Sequence, residues 1–151
     1  MAAAPPSLRA RALKALARRE HSRQELRARL LPHAGDADEL EGLLDDLARR
    51  GWLSEARFIE QLTTVRRRKF GAARILHELR EKGVSGPALE AAGARLRESE
   101  TEAARAVWRK KFGAPPRTLQ ERAKQARFLA GRGFSAEVVR RVLKGAEDEE
   151  D

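Results

Sequence analysis

The sequence RRKFGA at residues 67–72 recurs in nearly the same form as RKKFGA at residues 109–114. LREKGVS at 79–85 likewise recurs as LAGRGFS at 129–135. The two copies of this second pair lie further apart in the chain than those of the first pair, because extra residues are present in a proline-containing loop before Thr118. Self-similarity over a few tens of residues is typical of helical repeat proteins. The two pairs therefore predict a tandem array of small units.

The composition favours helices throughout the array. Ala, Leu, Arg and Glu dominate the 151 residues, and all four are good helix formers. Alternating runs of Val, Ile and Thr, the usual sign of a strand, are missing. Hydrophobic residues make up 41% and charged residues 36%, so the chain has little apolar material for one large core.

The starts of several helices are marked in the sequence by pairs of residues that form capping boxes. In a capping box the side chain of the N-cap residue accepts a hydrogen bond from a backbone amide of the first turn, and the acid three residues later accepts one from the backbone amide of the N-cap residue. Four such pairs are present: Ser22/Glu25, Asp36/Glu39, Ser99/Glu102 and Thr118/Glu121. Glycines that follow basic last turns predict left-handed stops at Gly51, Gly83, Gly133 and Gly145. The predicted helices cover 8–19, 23–32, 37–50, 55–69, 72–82, 87–97, 100–111, 119–131 and 136–144.

We expect an all-α fold of three tandem three-helix repeats that form an elongated body, with its curvature left open. A unit of this size buries a small fraction of its surface and is only marginally stable alone, so stacking on neighbours is expected. The first unit matches more weakly, with His21-Ser22 where the second has Phe70-Gly71. The predicted segments are a disordered N-terminal tail at 1–6, repeats at 7–51, 52–97 and 98–145, and an acidic tail at 146–151.

The sequence lacks the residue patterns that membrane insertion, catalysis and nucleotide binding require. No apolar stretch is long enough to span a membrane, no signal peptide is recognisable, and there is no Cys, so we expect a cytoplasmic protein. His21, His33 and His77 are scattered, and we interpret each as satisfied or solvated. Glycine-rich phosphate loops are missing as well. We predict no catalytic residues, no metal, no cofactor, no membrane contact, and a monomer that is not an enzyme.

The charge is the strongest indication of a partner. The formal net charge is +9 although the last residues, 147–151, are all acidic. Arg greatly outnumbers Lys, which favours bidentate contacts to phosphate or carboxylate, although a GC-rich genome would also favour Arg codons. A polyanionic or acidic partner is therefore expected. The acidic tail is either a solvated end or a competitor for the basic face, and we favour the first.

Two basic runs close predicted helices one repeat apart. Cations at a helix C-terminus also stabilise the helix itself, but two equivalent runs predict positive charge presented at regular intervals along the body. A phosphate backbone or an acidic filament groove would fit this surface. Most aromatic residues fall on apolar helix faces, so we expect them in the core and expect no base-specific reading. The predicted binding residues are Arg66, Arg67, Arg68, Lys69, Arg74, Arg109, Lys110, Lys111, Arg122, Lys124, Arg127, Arg132, Arg140 and Arg141.

Three motifs in order resemble those of the RecX family of recombinase regulators. The first is LxxLxxRxxSxxELxxxL at 13–30, and the second is LxxxLxxxGxL at 43–53 running into SEARF at 54–58. The third is GxxRIxxELxxKGV at 71–84. The family typically has two acids where this chain has Ser54-Glu55, and serine can still cap the helix. The resemblance covers about residues 8–145.

The resemblance implies a protein that binds within the groove of the RecA–DNA filament and inhibits the recombinase, ATPase and coprotease activities of RecA. The expected partners are then the RecA filament and DNA, single- or double-stranded, without sequence preference. One alternative is a stand-alone DNA-binding protein, because three-helix units are similar to helix-turn-helix domains. Another is a passive helical scaffold for an acidic protein.

Overall fold

The computed structural model describes residues 4–149, and every regular element in that range is helical. Residues 4–6 are exposed chain before the first helix, while residues 1–3 of the predicted N-terminal tail lie outside the described range. The all-α prediction is confirmed. The elements are α1 (Leu8–Arg18), α2 (Arg23–Leu30), a short 3-10 turn (Leu31–His33), α3 (Ala37–Arg49), α4 (Glu55–Arg66), α5 (Ala72–Glu81), α6 (Gly86–Glu98), α7 (Glu100–Lys111), α8 (Leu119–Gly131) and α9 (Ala136–Glu149).

Three of the four predicted N-caps form, although among the described residues the complete capping box is present at Ser22 alone. The side chain accepts the amide of the third helical residue at Ser22, Asp36 and Thr118. The cap predicted at Ser99 is wrong, because that side chain makes no capping hydrogen bond. Its hydroxyl instead donates to the Leu96 carbonyl and accepts from Arg67, so it serves the end of α6.

The predicted glycine stops are confirmed at three positions, with φ of 77° at Gly51, 94° at Gly83 and 95° at Gly133. The stop at Gly145 is wrong, since α9 continues to Glu149. Ala146 keeps only 7% of its surface exposed and holds this last turn on the core. The predicted acidic tail therefore begins inside a helix, and its final residues, 150–151, lie outside the described range.

Packing divides the chain into two compact units. The first unit comprises Met1–Gln61 and Glu81–Val84, and the second comprises Leu62–Arg80 and Ser85–Asp151. The predicted repeat boundaries at 51/52 and 97/98 stay predictions.

One core of the first unit consists of leucine and alanine side chains. α2 packs on both α1 and α3, because each presents small or branched apolar residues at helical spacing. The buried residues of this core are Ala12, Ala15, Leu26, Leu30, Leu40, Leu44, Leu47 and Leu53.

Glu25 stabilises the start of α2 within this unit. Ser22 and Glu25 form a complete capping box, with both reciprocal hydrogen bonds at 3.1 Å. Arg19 donates to the same carboxylate at 2.9 Å, and the Lys82 ammonium lies 3.3 Å away. Burial opposes ionisation of Glu25, but these hydrogen bonds and positive charges outweigh it and lower its pKa from 4.5 to about 2.

Replacing Glu25 should make the chain less stable at neutral pH and less sensitive to acid. The lowered pKa means that the fold favours the ionised form, so its contribution is full above about pH 4.5 and is lost as the pH falls towards 2. Glu25→Gln should cost about 1–2 kcal/mol at neutral pH, the upper part of the range for a helix cap, and should flatten the loss of stability in acid. Urea unfolding followed by circular dichroism at neutral and acidic pH measures both effects.

Glu39→Gln is the matched control, because Glu39 occupies the same position of α3 but its carboxylate is exposed. The control should unfold like the parent chain. Equal losses in the two variants, or an unchanged acid profile for Glu25→Gln, would contradict the assignment.

One core of the second unit is formed by α7, α8 and α9, with α9 packed on both of the others. Trp108 is buried there, and its indole nitrogen donates to Gln125 at 2.7 Å, which satisfies the only polar atom of that side chain. The buried apolar residues of this core are Ala104, Val107, Trp108, Leu129, Phe134, Val138, Val139, Val142, Leu143 and Ala146.

Candidate functional site

The first of the two repeated basic runs lies in the turn between α4 and α5, and Arg67 fixes that turn. Its guanidinium donates to the Glu100 carboxylate at 2.9 Å and to the Leu96 carbonyl, and its side chain is only 16% exposed. Glu100 also accepts the Ala72 amide at 3.1 Å. Arg67 is therefore engaged inside the molecule, and its predicted place on the exposed binding surface is not what the structure shows.

The same turn packs directly on the turn between α8 and α9. The Gly71 amide donates to the Arg132 carbonyl at 2.7 Å, and a Cβ atom at Gly71 would lie 2.4 Å from the Gly133 carbonyl oxygen. Gly133 has a positive φ, and a Cβ atom added to it would lie 2.7 Å from the Cβ atom of Arg74. Two glycines thus allow the two backbones to touch, and this contact determines where Arg132 lies.

Residues of both basic runs of the repeat line the same groove. Arg68 and Lys69 reach it from the α4–α5 turn, Lys110 and Lys111 from the last turn of α7, and Arg132 from the end of α8. The floor is apolar, formed by Val107 and Phe128, and the cavity has a volume of about 240 Å³. The prediction that the runs are presented at regular intervals along the body is therefore wrong for these residues, because they converge on one place.

Aromatic rings hold the guanidinium of Arg132 in this groove. Its Cζ atom lies 4.9 Å from the centre of the Phe128 ring and 5.5 Å from that of Phe70. The Lys111 ammonium lies 5.4 Å from the Phe128 ring. Phe112 supports Phe128 from the side, with the two rings edge to face at 5.4 Å. Cation–π contacts of this kind orient a charge while leaving its donors free.

The groove has a strong excess of positive charge. Among residues 4–149, none of its five cations is paired with a carboxylate. Unbalanced like charges around a cavity destabilise a fold slightly, and they raise the local concentration of anions. The site can therefore bind a polyanion, and the apolar floor adds room for one flat or branched group.

The other predicted binding residues lie outside the groove. Arg66, Arg122 and Arg141 are paired with Glu78, Glu147 and Glu137, respectively. Arg74 stacks on the Phe70 ring at 4.5 Å and donates to the Gly131 carbonyl. The remaining four are exposed, with no partner in the described part of the chain: Arg109, Lys124, Arg127 and Arg140.

Sequence reasoning missed the aromatic part of the site. We expected the phenylalanines in the core, whereas Phe70 and Phe128 are half-buried and lie against cations. The available signal was the position of Phe70 and Phe112, each directly after a basic run.

The histidines do not form a site. His21 is buried, its Nδ1 atom lies 3.0 Å from the Arg19 carbonyl, and its Nε2 atom has no partner among the described residues. It is therefore only partly satisfied, contrary to our interpretation, and burial lowers its pKa despite the carbonyl. Within residues 4–149, His, Asp and Glu side chains form no group that could bind a metal, and no helix there could cross a bilayer.

Two family models and several known proteins similar to this chain carry the name RecX. Residues 54–92 match the model of the second three-helix domain of RecX, and residues 98–143 match that of the third. Regulatory protein RecX of Leptothrix cholodnii is 52% identical over 145 residues, which cover 96% of this chain and 92% of that protein. Regulatory protein RecX of Ralstonia nicotianae is 49% identical, over a stretch that covers 95% of this chain and 90% of that protein.

Solved structures agree on the fold. The crystal structure of RecX from Lactobacillus salivarius superposes with a TM-score of 0.77 at 15% identity, covering 93% of this chain and 94% of that one. A second RecX crystal structure gives a TM-score of 0.70 at 18% identity, over 93% of this chain and 71% of the other. The resemblance seen in the sequence motifs is confirmed, and the chain belongs to the RecX family of regulatory proteins.

Proposed function

We propose that this protein binds in the groove of the RecA–DNA filament and inhibits the recombinase, ATPase and coprotease activities of RecA. The observation that carries the proposal is the basic groove of the second unit in a chain of the RecX family. In this proposal the protein acts by binding and catalyses no reaction. It works in the cytoplasm as a monomer of three three-helix units.

A basic rim over an apolar floor favours a composite partner. The rim cations would neutralise phosphates or carboxylates, and that part of the binding would weaken as salt rises. The floor formed by Val107 and Phe128 would bury an apolar group, which bare DNA backbone does not offer. A filament presents protein side chains beside phosphates, so it satisfies both parts of the groove.

The test uses the full chain and RecA assembled on single-stranded DNA. Added at up to one protein per RecA, the chain should sediment with the filament and lower its DNA-dependent ATP hydrolysis and strand exchange. Unchanged sedimentation, ATP hydrolysis and strand exchange at that ratio would overturn the proposal. Tight, sequence-selective binding to DNA alone, with no effect on RecA, would favour a stand-alone DNA-binding protein.

A further inference from the structure

The first unit has a basic cleft of its own, formed by residues to which sequence reasoning gave no role. Arg11, Lys14 and Arg18 lie on one face of α1, and Arg29 of α2 and His33 of the 3-10 turn lie opposite. The cavity has a volume of about 240 Å³. Its floor is formed by Ala15 and Leu30, which also belong to the core, so the shape of the cleft is fixed by the packing of the unit.

Two acids of the first unit, Glu41 and Asp46, are each paired with arginines outside the cleft. Arg23 and Arg27 converge on Glu41, whose pKa their hydrogen bonds lower to about 2. Arg9 and Arg50 donate to Asp46, with the same effect on the pKa of that carboxyl. These networks leave the positive side chains of the cleft without a carboxylate among the described residues.

The arrangement of these cations fits a row of regularly spaced anions. Arg11, Lys14 and Arg18 are three and then four residues apart, so they follow one line along the helix. At a rise of about 1.5 Å per residue this line is about 10 Å long, while each strand of duplex DNA carries one phosphate per roughly 3.4 Å of its axis. A helix face of this length can therefore lie along two or three successive phosphates.

The floor argues against an acidic peptide in this cleft. Ala15 and Leu30 are 2% and 1% exposed, so they offer no open apolar surface for an anchoring side chain. Arginine, lysine and imidazole donors around the cavity suit phosphate oxygens, which accept several hydrogen bonds each.

We propose that the first unit carries a second binding site, at Arg11, Lys14, Arg18, Arg29 and His33, for the phosphodiester backbone of duplex DNA. The site shares no residue with the groove of the second unit and contacts no base edges. It extends the DNA contact of the proposed function to a unit for which none was predicted. Its probe is DNA without RecA, so the two proposals can fail independently.

The test is the salt dependence of binding to a labelled mixed-sequence duplex of about 30 base pairs. Each lost phosphate contact should reduce the slope of log affinity against log salt by about 1. For Lys14→Ala/Arg18→Ala we expect a slope smaller by about 2 and a several-fold weaker affinity at low salt. Both side chains are exposed, so the variant should keep its helical circular dichroism.

Arg80→Ala/Arg97→Ala is the matched control. It removes the same charge from two exposed arginines that line neither the cleft nor the groove. Its slope should stay within experimental error of the parent chain. An unchanged slope for Lys14→Ala/Arg18→Ala, an equal fall in the control, or failure of the parent chain to bind the duplex would each overturn the second site. None of these results bears on whether the chain sediments with a RecA filament.

Discussion

Gly71→Ala is expected to lower the free energy of unfolding by about 3 kcal/mol or more, the upper part of the range for overpacking. The added Cβ would lie 2.4 Å from the Gly133 carbonyl oxygen and 2.7 Å from the Phe134 amide nitrogen. Both are backbone atoms of a turn, so no side-chain rotation relieves the clash. The two turns must separate, and the hydrogen bond from the Gly71 amide to the Arg132 carbonyl is then lost as well.

Thermal unfolding of the full chain measures this loss. For a chain of this length, 1 kcal/mol corresponds to a shift in Tm of roughly 2–4 °C, so a fall of about 6 °C or more is expected. Gly131→Ala is the matched control in the same unit, because its Cβ would meet no atom within 4 Å. The control should be neutral or slightly stabilising, since alanine is the better helix former. A Tm for Gly71→Ala equal to that of the control would refute the close contact of the two turns.

Arg68→Glu/Lys110→Glu is expected to weaken binding to the RecA filament by roughly 10- to 100-fold. Each side chain comes from a different copy of the repeated basic run, and both line the same groove. Reversal replaces attraction to an anionic partner with repulsion at two points of one small site. Arg67 is left unchanged, because replacing it would break its ion pair with Glu100 and confuse folding with binding.

Arg80→Glu/Arg97→Glu controls for the change in net charge. Sedimentation with the filament and inhibition of its ATPase should fall together in the groove variant and stay near parental levels in the control. Circular dichroism should be the same for all three proteins. Equal losses in both variants would show that only the overall charge matters, and undiminished binding by the groove variant would place the contact elsewhere.

The helices were predictable because their ends are determined locally. The capping box at Ser22 and the positive φ at Gly51 depend on neighbouring residues only, so sequence suffices to place them. The predictions are wrong where tertiary contacts determine the end of a helix. Ser99 accepts a hydrogen bond from Arg67 and does not cap α7. Because Ala146 is buried, α9 continues beyond Gly145, where we expected it to end.

The candidate site was predictable only in part, for the same reason. The repeat identified the basic runs, but whether they lie apart or together depends on the contact between Gly71 and Gly133, which no periodicity encodes. The repeat is clearest in the second and third predicted units, so it predicted binding residues only there. Arg11, Lys14 and Arg18 lie in the unit that matches least, although their helical spacing is visible in the sequence.

The convergence of the two basic runs has an evolutionary consequence. Duplication of an ancestral segment would have supplied the charges twice, yet neither copy contains the whole groove, since Phe128 and Arg132 come from a helix beyond both runs. Selection on the groove therefore acts on the assembled second unit. Any fragment that inherits the whole site must contain residues 68–132, and loss of either basic run would discard two of the five cations of the groove.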